Sequence, residues 1–279
     1  MLETFRRAFQ TKDIRRKLGY TFLMLIVIRL GSQLPTPGVD PTYIKEFFAQ
    51  NSGEAFNLFN AFTGGSFEQM SILALSITPY ITSSIIVQLL TIAIPKLEEM
   101  QKDGEDGRKK INEYTRYLSI ALAVIEGAAI VIGFRNQGLF GTDNPQSSMT
   151  TAIVVAVAAL TAGAAFMMWL GEQITEKGVG NGISIILLIN IVARIPNDLS
   201  NLYQNYVAKP TDVTSKIIAA VIILAIIVAM FVFIVFLQDG ERRIPVQYAK
   251  KIQGHKVSGG QSSHIPLKVN TAGVIPVIF

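Results

Sequence analysis

Six long apolar stretches, separated by short polar segments that hold most of the charges, dominate the 279-residue chain. The clearest stretch runs from Ile217 to Leu237 without a charged residue, which is close to the ~20 residues that a helix needs to cross a bilayer. Backbone amides in hydrocarbon must be satisfied within their own segment, so such stretches are predicted to be transmembrane α-helices. The others are Leu18–Leu34, Ile72–Ile94, Leu118–Phe134, Thr151–Leu170 and a stretch from Ile183 onward. We therefore predict an all-α polytopic membrane protein.

Composition supports this class and removes several kinds of chemistry. Half of the residues are hydrophobic and 16% are charged, whereas a soluble domain carries about 25% charged residues. The sequence has no cysteine, which excludes a disulfide scaffold, a thiolate nucleophile and a cysteine-based metal site. The two histidines, His255 and His264, lie together in one polar loop, so neither is placed to relay protons within a span. No metal or cofactor is predicted.

The basic residues predict the orientation of the chain. All but six of the 25 Lys and Arg residues fall in the N-terminal segment, in the loops after the second and sixth stretches, or in the turn after the fourth. Because Lys and Arg mark cytoplasmic loops, the N-terminus is predicted to be cytoplasmic. No small-residue cleavage site follows the first stretch, so we interpret it as a retained span. Val269–Phe279 is interpreted as the start of a seventh span, and we expect the natural chain to continue beyond it.

A glycine-containing connection between the first two spans, Asn60–Gln69, has two interpretations. It is too short and too polar to cross a membrane, and the pattern by itself favours an extracytoplasmic loop. The alternative is a re-entrant half-helix, which is tolerated at membrane depth only where it lines a water-filled cavity.

Two pairs of aliphatic residues recur at a spacing of four. Ile77 and Ile81 flank Pro79 in the second span, and Ile183 and Leu187 begin the fifth. Residues four apart lie on the same face of a helix. Such pairs ordinarily pack against other helices or face lipid. The alternative is a hydrophobic constriction, which gates a pore by excluding water.

Polar residues within the predicted spans are few: Arg29, Gln88, Glu126, Asn190 and Arg194. Ionisable groups inside a membrane are functional candidates by default. Arg29 and Arg194 lie near the outer ends of their helices, so we expect both to extend their charges to the membrane surface. The remaining groups are too few for a proton pump or an ion-coupled transporter.

The sequence Gly178–Gly182 resembles a phosphate-binding turn only superficially. No strand precedes it, and the spacing of its glycines does not fit a dinucleotide-binding motif. We interpret it as a tight cytoplasmic turn, with Asn181 near the cap of the fifth span.

The basic loop after the sixth span, residues 239–268, is predicted to be structured. Val246–Tyr248 and Ile265–Val269 are short β-type runs separated by a Gly/Ser turn. The loop could be a topology signal attracted to anionic lipid. Alternatively, an ordered basic protrusion could dock a large anionic partner, ribosomal RNA included.

Five motifs carry a family resemblance. They are RRIPV at 242–246 followed by Tyr248-Ala249-Lys250, GQSSHIPLKVN at 260–270 continuing into AGVIP at 272–276, ITPYI at 77–81, WLGEQIT at 169–175 and GNGISII at 180–186. Together they resemble the SecY family, the central subunits of bacterial protein-conducting channels. The resemblance extends over the whole chain.

The resemblance implies a fold of ten helices in two inverted-repeat halves. This chain would supply the first half, with helices one to five, in residues 18–206, after a cytoplasmic N-terminal segment at 1–17. Helix six would span 207–238, a cytoplasmic docking loop 239–268, and the start of helix seven 269–279.

The resemblance also implies roles for individual residues. A pore ring would consist of Ile77, Ile81, Ile183, Leu187 and Ile278. A plug would contain Asn60, Ala61, Phe62, Thr63, Gly64, Gly65, Ser66 and Phe67. Arg242, Arg243, Lys250 and Lys251 would form a docking tip, and Gln88 would belong to a lateral gate.

The function implied is that of a multi-pass subunit in the bacterial plasma membrane, which passes preproteins across and releases membrane segments into the bilayer. Its partners would be SecE and SecG, the SecA ATPase, the ribosome, signal sequences with nascent or preprotein chains, and membrane lipids. It would catalyse no covalent change. One alternative, a secondary transporter with broken helices, needs mid-membrane polar groups that these spans lack. Another, an intramembrane enzyme, needs paired catalytic groups that are also missing from the spans.

Overall fold

The structure is a computed structural model, and it describes residues 11–50, 54–135, 139–140, 146–208, 213–246, 251–253, 256–258 and 263–270. Helices make up most of it, in agreement with the predicted all-α membrane class. The helices are α1 (Lys12–Gly31), α2 (Pro41–Gln50), α3 (Glu54–Thr63), α4 (Thr78–Ala93), α5 (Pro95–Lys102), α6 (Glu105–Arg135), α7 (Gln146–Lys177), α8 (Gly182–Leu202) and α9 (Val213–Asp239), with a π-helical turn at Tyr203–Ala208. Four strands follow α9: β1 (Glu241–Val246), β2 (Lys251–Gln253), β3 (Lys256–Ser258) and β4 (Ser263–Lys268).

Within the described residues, four helical stretches are long and apolar enough to cross a membrane. They are Glu105–Arg135, Met149–Lys177, Gly182–Val207 and Lys216–Asp239, which confirms the third to sixth predicted spans. A fifth such stretch, the predicted second span, is present if α4 and α5 form one broken span. These two helices are bent by 103° at their junction. The predicted first span is helical as α1, but it does not qualify, because its uncharged stretch between Lys17 and Arg29 is much shorter than a bilayer requires.

The predicted second span is wrong over its first residues. Helix α4 begins only at Thr78, and residues 66–77 form turns in which Met70 and Ser76 have positive φ angles of 41° and 51°. The neighbouring chain satisfies this backbone, since Thr36 N–H donates to the Met70 carbonyl and Ile72 N–H to that of Leu34, each at 2.9 Å. Irregular backbone is compatible with membrane depth when protein surrounds it.

Two apolar clusters form the core of the first compact unit, Met1–Pro196. The larger joins α6 and α7 to α2 and to residues 67–75, with Leu75 and Leu160 fully buried. The smaller joins α1, α4, α7 and α8. The smaller cluster contains both predicted aliphatic pairs, so it is the part of the core that bears on function.

The second compact unit, Asn197–Phe279, contains α9 and the four strands. Its helix α9 packs against the π-helical turn, and none of its apolar window is buried within the chain. Strands β1 and β4 pair antiparallel, and β2 pairs with β3 in a separate short hairpin.

Candidate functional site

Four of the five predicted ring residues lie within the described part of the chain, and all four belong to the smaller apolar cluster. Ile77, at the start of α4, is 1% exposed, whereas Ile81, Ile183 and Leu187 are only partly buried against the same cluster. A Cβ added at Gly171 would lie 3.4 Å from Ile183 Cγ1 and 3.5 Å from Ile77 Cδ1. Helices α4 and α8 therefore meet across a glycine of α7. The fifth predicted ring residue, Ile278, lies outside the described residues.

A specific cap fixes the α8 pair in place. The Asn181 side-chain oxygen accepts hydrogen bonds from the backbone N–H groups of Ile183 at 3.0 Å and Ser184 at 3.4 Å. This confirms Asn181 as the cap of the fifth span. Gly182 N–H donates to Thr175 Oγ1 at 2.8 Å, which ties the start of α8 to the end of α7.

A polar cavity of about 590 Å³ adjoins the cluster at the start of α8. Its lining includes Tyr80, Asn181 and Ile183, and also an ion pair in which Arg116 Nε donates to Glu172 Oε1 at 2.6 Å. The cavity therefore lies next to a predicted ring residue and offers polar groups to water. Sequence patterns did not indicate it, because its lining comes from four separated stretches.

Segment 60–69 consists of the last turn of α3 and the turns that follow it, and its two parts are bonded to each other. Asn60, Thr63, Ser66 and Phe67 are all buried. The Asn60 amide donates to Glu68 Oε2 at 2.9 Å and its oxygen accepts from Glu68 N–H at 3.3 Å, so the side chain closes the loop from both ends. A free surface loop, which the sequence pattern favoured, would leave these groups exposed. The segment is packed into the first unit.

Two polar residues of the predicted spans hold this segment. Arg29 donates to the Gly64 carbonyl at 3.3 Å and to the Ile189 carbonyl at 2.9 Å. Asn190, 2% exposed, donates from its amide to the Phe62 carbonyl at 3.3 Å and to Ser76 Oγ at 3.1 Å. The expectation that Arg29 extends to the membrane surface is wrong, because backbone carbonyls inside the bundle satisfy its guanidinium.

Gln88, the predicted gate residue, is exposed on α4. The backbone carbonyl of Gln88 accepts a hydrogen bond from Thr91 Oγ1 at 2.6 Å. Among the described residues, no group of three or more His, Cys, Asp or Glu side chains is arranged to hold a metal ion.

The basic loop contains strands, but its first strand differs from the predicted one. β1 begins at Glu241, several residues before the predicted run at Val246, and pairs with β4, which overlaps the predicted run at Ile265–Val269. Arg242 lies opposite Leu267 and Arg243 opposite Pro266, both with exposed side chains.

The two arginines are therefore not at a tip. They lie at the base of the hairpin, two and three residues beyond the Gly240 that follows α9. Lys251 begins β2 farther along the loop and pairs with Ser258, while Lys250 falls outside the described residues. The strand pairing thus places the two arginines in the β1–β4 pair and Lys251 in the β2–β3 hairpin.

Comparisons with known proteins agree on one family. The sequence profile of the SecY family matches residues 71–279. The chain is 47% identical over 268 residues to the protein translocase subunit SecY of Pseudomonas aeruginosa, which covers 96% of this chain and 58% of that protein. It is 44% identical to the SecY subunit of Streptomyces scabiei, over 100% of this chain and 64% of the relative. The chain thus spans about three fifths of the length of these relatives.

Two solved structures share the fold. One, described as the structure of a protein conducting channel, aligns with a TM-score of 0.59 at 20% identity, covering 95% of this chain and 55% of that one. The other, Sec61 in the canine ribosome-channel complex from the endoplasmic reticulum, aligns with a TM-score of 0.54 at 19% identity, covering 83% and 49%.

Proposed function

Because this chain belongs to the SecY family, we propose that it forms one wall of a channel that passes unfolded polypeptides across a membrane and releases apolar segments into it. The observation that carries the proposal is the order of features along α8. Asn181 and Ile183 line the polar cavity, Ile183 and Leu187 belong to the apolar cluster, and Asn190 holds segment 60–69. These features follow one another within about 13 Å, at the helical rise of ~1.5 Å per residue.

An apolar neck between two polar regions suits a channel for polypeptides. Hydrocarbon walls form no directional hydrogen bonds, so side chains of any kind can pass. An ion in the same neck loses its hydration shell and gains no polar contacts in return. Ile81, Ile183 and Leu187 keep part of their surface exposed and form the wall that a passing chain touches. The buried Ile77 supports this wall from behind. Ile278 remains the fifth proposed member.

Segment 60–69 serves as the plug of this channel. Asn190, one turn beyond Leu187, donates both to the Phe62 carbonyl of the segment and to Ser76 Oγ, next to Ile77, and these bonds support a position of the segment beside the apolar ring. Lys177, in the last turn of α7 before α8 begins, and the basic residues of the N-terminal segment support a cytoplasmic cavity and an outer plug. The membrane in question is the bacterial plasma membrane, with the N-terminus inside. Gln88, exposed on α4, belongs to the lateral gate.

The hairpins after α9 dock the partner that drives transport. Arg242 and Arg243 are exposed, and Lys250 and Lys251 add positive charge farther along the loop. Such a surface attracts ribosomal RNA or an acidic face of the SecA ATPase. The channel itself catalyses no covalent change, so the energy comes from that partner. SecE and SecG complete the assembly, and signal sequences, preproteins and lipids meet it within the membrane.

Conductance measurements on ring variants test the proposal. In the full-length assembled protein, Ile81→Asn or Ile183→Asn places an amide in the neck, where it offers water the hydrogen bonds that hydrocarbon withholds. We expect a raised resting ion conductance in planar bilayers. Leu188→Asn is the matched control, since Leu188 is adjacent on α8 but 61% exposed. Wild-type conductance in both ring variants, or solute uptake without preprotein transport, would contradict the proposed function.

A further inference from the structure

We propose that Arg29 and Asn190 form a latch that holds segment 60–69 in its closed position and retains its own geometry when that segment leaves. This deepens the proposed function and rests on it, because segment 60–69 is taken as the plug. Neither residue belongs to the apolar ring, and each is a polar group within a predicted span.

Each latch residue makes one bond to the plug and a shorter one to the surrounding bundle. Arg29 reaches the Gly64 carbonyl at 3.3 Å but the Ile189 carbonyl of α8 at 2.9 Å, with a further contact to the Asn190 carbonyl at 3.5 Å. Asn190 likewise donates to the Phe62 carbonyl of the plug at 3.3 Å and to Ser76 Oγ of the bundle at 3.1 Å. For each residue the bond to the plug is longer than its shortest bond to the bundle, and hydrogen bonds weaken with length.

This asymmetry has a mechanical consequence. When the plug moves away, the bonds from Arg29 to α8 and from Asn190 to Ser76 remain, so both donors stay aimed at the vacated position. The plug then returns to a preformed site, and the half-buried guanidinium of Arg29 does not have to find a new partner. A guanidinium suits this role because its planar fork can serve two carbonyls at once, which an ammonium group does less well.

The plug is shaped for the latch at Gly64. This residue has a φ of +68°, in the left-handed region that favours glycine. A Cβ at this position would lie 3.0 Å from Asn190 Cα and 3.1 Å from Arg29 NH1. The absence of a side chain at Gly64 thus lets both latch residues reach the plug backbone.

A single-cysteine experiment tests the latch. Residues 1–279 contain no cysteine, so Ser66→Cys, at a position only 3% exposed, adds the one thiol of this part of the chain and places it within the plug. The rate of its modification by a membrane-impermeant maleimide, added from the outer side to cells that hold the full-length assembled protein, reports how often the plug opens. We expect Arg29→Lys and Asn190→Ala each to accelerate labelling by about tenfold, equivalent to ~1.4 kcal/mol.

Ile174→Ala is the control variant. Ile174 is fully buried in the smaller cluster, which includes no residue of segment 60–69 and neither latch residue, so its truncation loosens the bundle elsewhere. Unchanged labelling in both latch variants, or equal acceleration in Ile174→Ala, would overturn the inference. If Arg29→Lys fails to assemble, Asn190→Ala decides the matter alone.

Parallel conductance measurements separate this inference from the proposed function. Accelerated labelling with a wild-type resting conductance would leave the latch standing and refute the sealing role of the plug. Raised conductance with unchanged labelling would refute the latch and leave the channel proposal standing.

Discussion

Segment 60–69 and the β1–β4 hairpin are both polar connections, but one is folded into the protein and the other is exposed. In the first, Asn60, Ser66 and Phe67 are buried, and the carbonyls of Phe62 and Gly64 accept hydrogen bonds from distant helices. In the second, every described side chain from Glu241 to Pro245 is exposed and the strands bond mainly to each other.

The difference follows from what each connection offers its surroundings. Segment 60–69 has one charged residue, Glu68, and a glycine, Gly64, that lets α1 and α8 approach its backbone. Strand β1 carries two consecutive arginines, Arg242 and Arg243, and its backbone is satisfied by pairing with β4 instead. A polar connection with few charges can thus enter a bundle, whereas a strongly basic one remains available to partners.

The largest expected effect comes from adding a methyl group at Gly64, where segment 60–69 contacts α1 and α8. Gly64→Ala and Gly65→Ala both place a side chain at positive φ, +68° and +85°, at a cost of ~1–2 kcal/mol. Only the Gly64 methyl also meets Asn190 and Arg29, while the Gly65 methyl has nothing within 4 Å. We expect hydrogen exchange of residues 60–71 to show a clearly larger loss of protection for Gly64→Ala. Equal losses would mean that the contact adds nothing to the backbone strain.

A smaller effect is expected from opening the turn that Asn60 closes. Asn60→Ala removes both hydrogen bonds to Glu68 and should lower the local opening free energy by about 1 kcal/mol. Asn60→Asp should be worse at neutral pH, because a second carboxylate would face that of Glu68. This extra loss should disappear at low pH, where the introduced carboxyl at position 60 is protonated and its repulsion with Glu68 is lost. An Asp variant whose exchange does not depend on pH would refute this arrangement.

The smallest effect on stability is expected at the hairpin, where the effect on binding should be clear. Arg242→Glu combined with Arg243→Glu should change the unfolding free energy by no more than ~0.5 kcal/mol, because both side chains are exposed. Affinity for ribosomes or the motor ATPase should fall at low salt and differ less as salt rises. Lys12→Glu with Arg15→Glu, an equal charge change on exposed residues of α1, is the control. Unchanged affinity in the hairpin variant would make this loop a topology signal only.

The sequence predicted much of this fold because apolar length is a local property. The stretches around Leu118–Phe134, Thr151–Leu170 and Ile217–Leu237 all appear as longer helices. The predicted helix was wrong at residues 72–77, where the apolar run continues but the backbone forms turns. At the start of this stretch the Ile72 N–H donates to the Leu34 carbonyl, and just before it the Met70 carbonyl accepts from the Thr36 N–H, so these bonds replace helical ones. Those partners are more than thirty residues away in sequence, and no periodicity reveals them.

The candidate site also has features that depend only on neighbouring residues, and the sequence predicted these. The spacing of Ile77 with Ile81 and of Ile183 with Leu187 identified side chains that share a helical face, and the structure gathers them in one cluster. The cap at Asn181 was equally local, since its partners are the next two or three residues.

The sequence by itself therefore determined the four long apolar helices, where charge gathers and which aliphatic pairs share a face, since these depend on neighbours along the chain. Only the tertiary structure decided that Arg29 is satisfied by carbonyls of Gly64 and Ile189, and that Arg242 lies at the base of a hairpin. A guanidinium near a helix end can turn to water or to buried carbonyls, and the outcome depends on whether another segment lies within reach. That is set by packing between parts of the chain 35 and 160 residues apart.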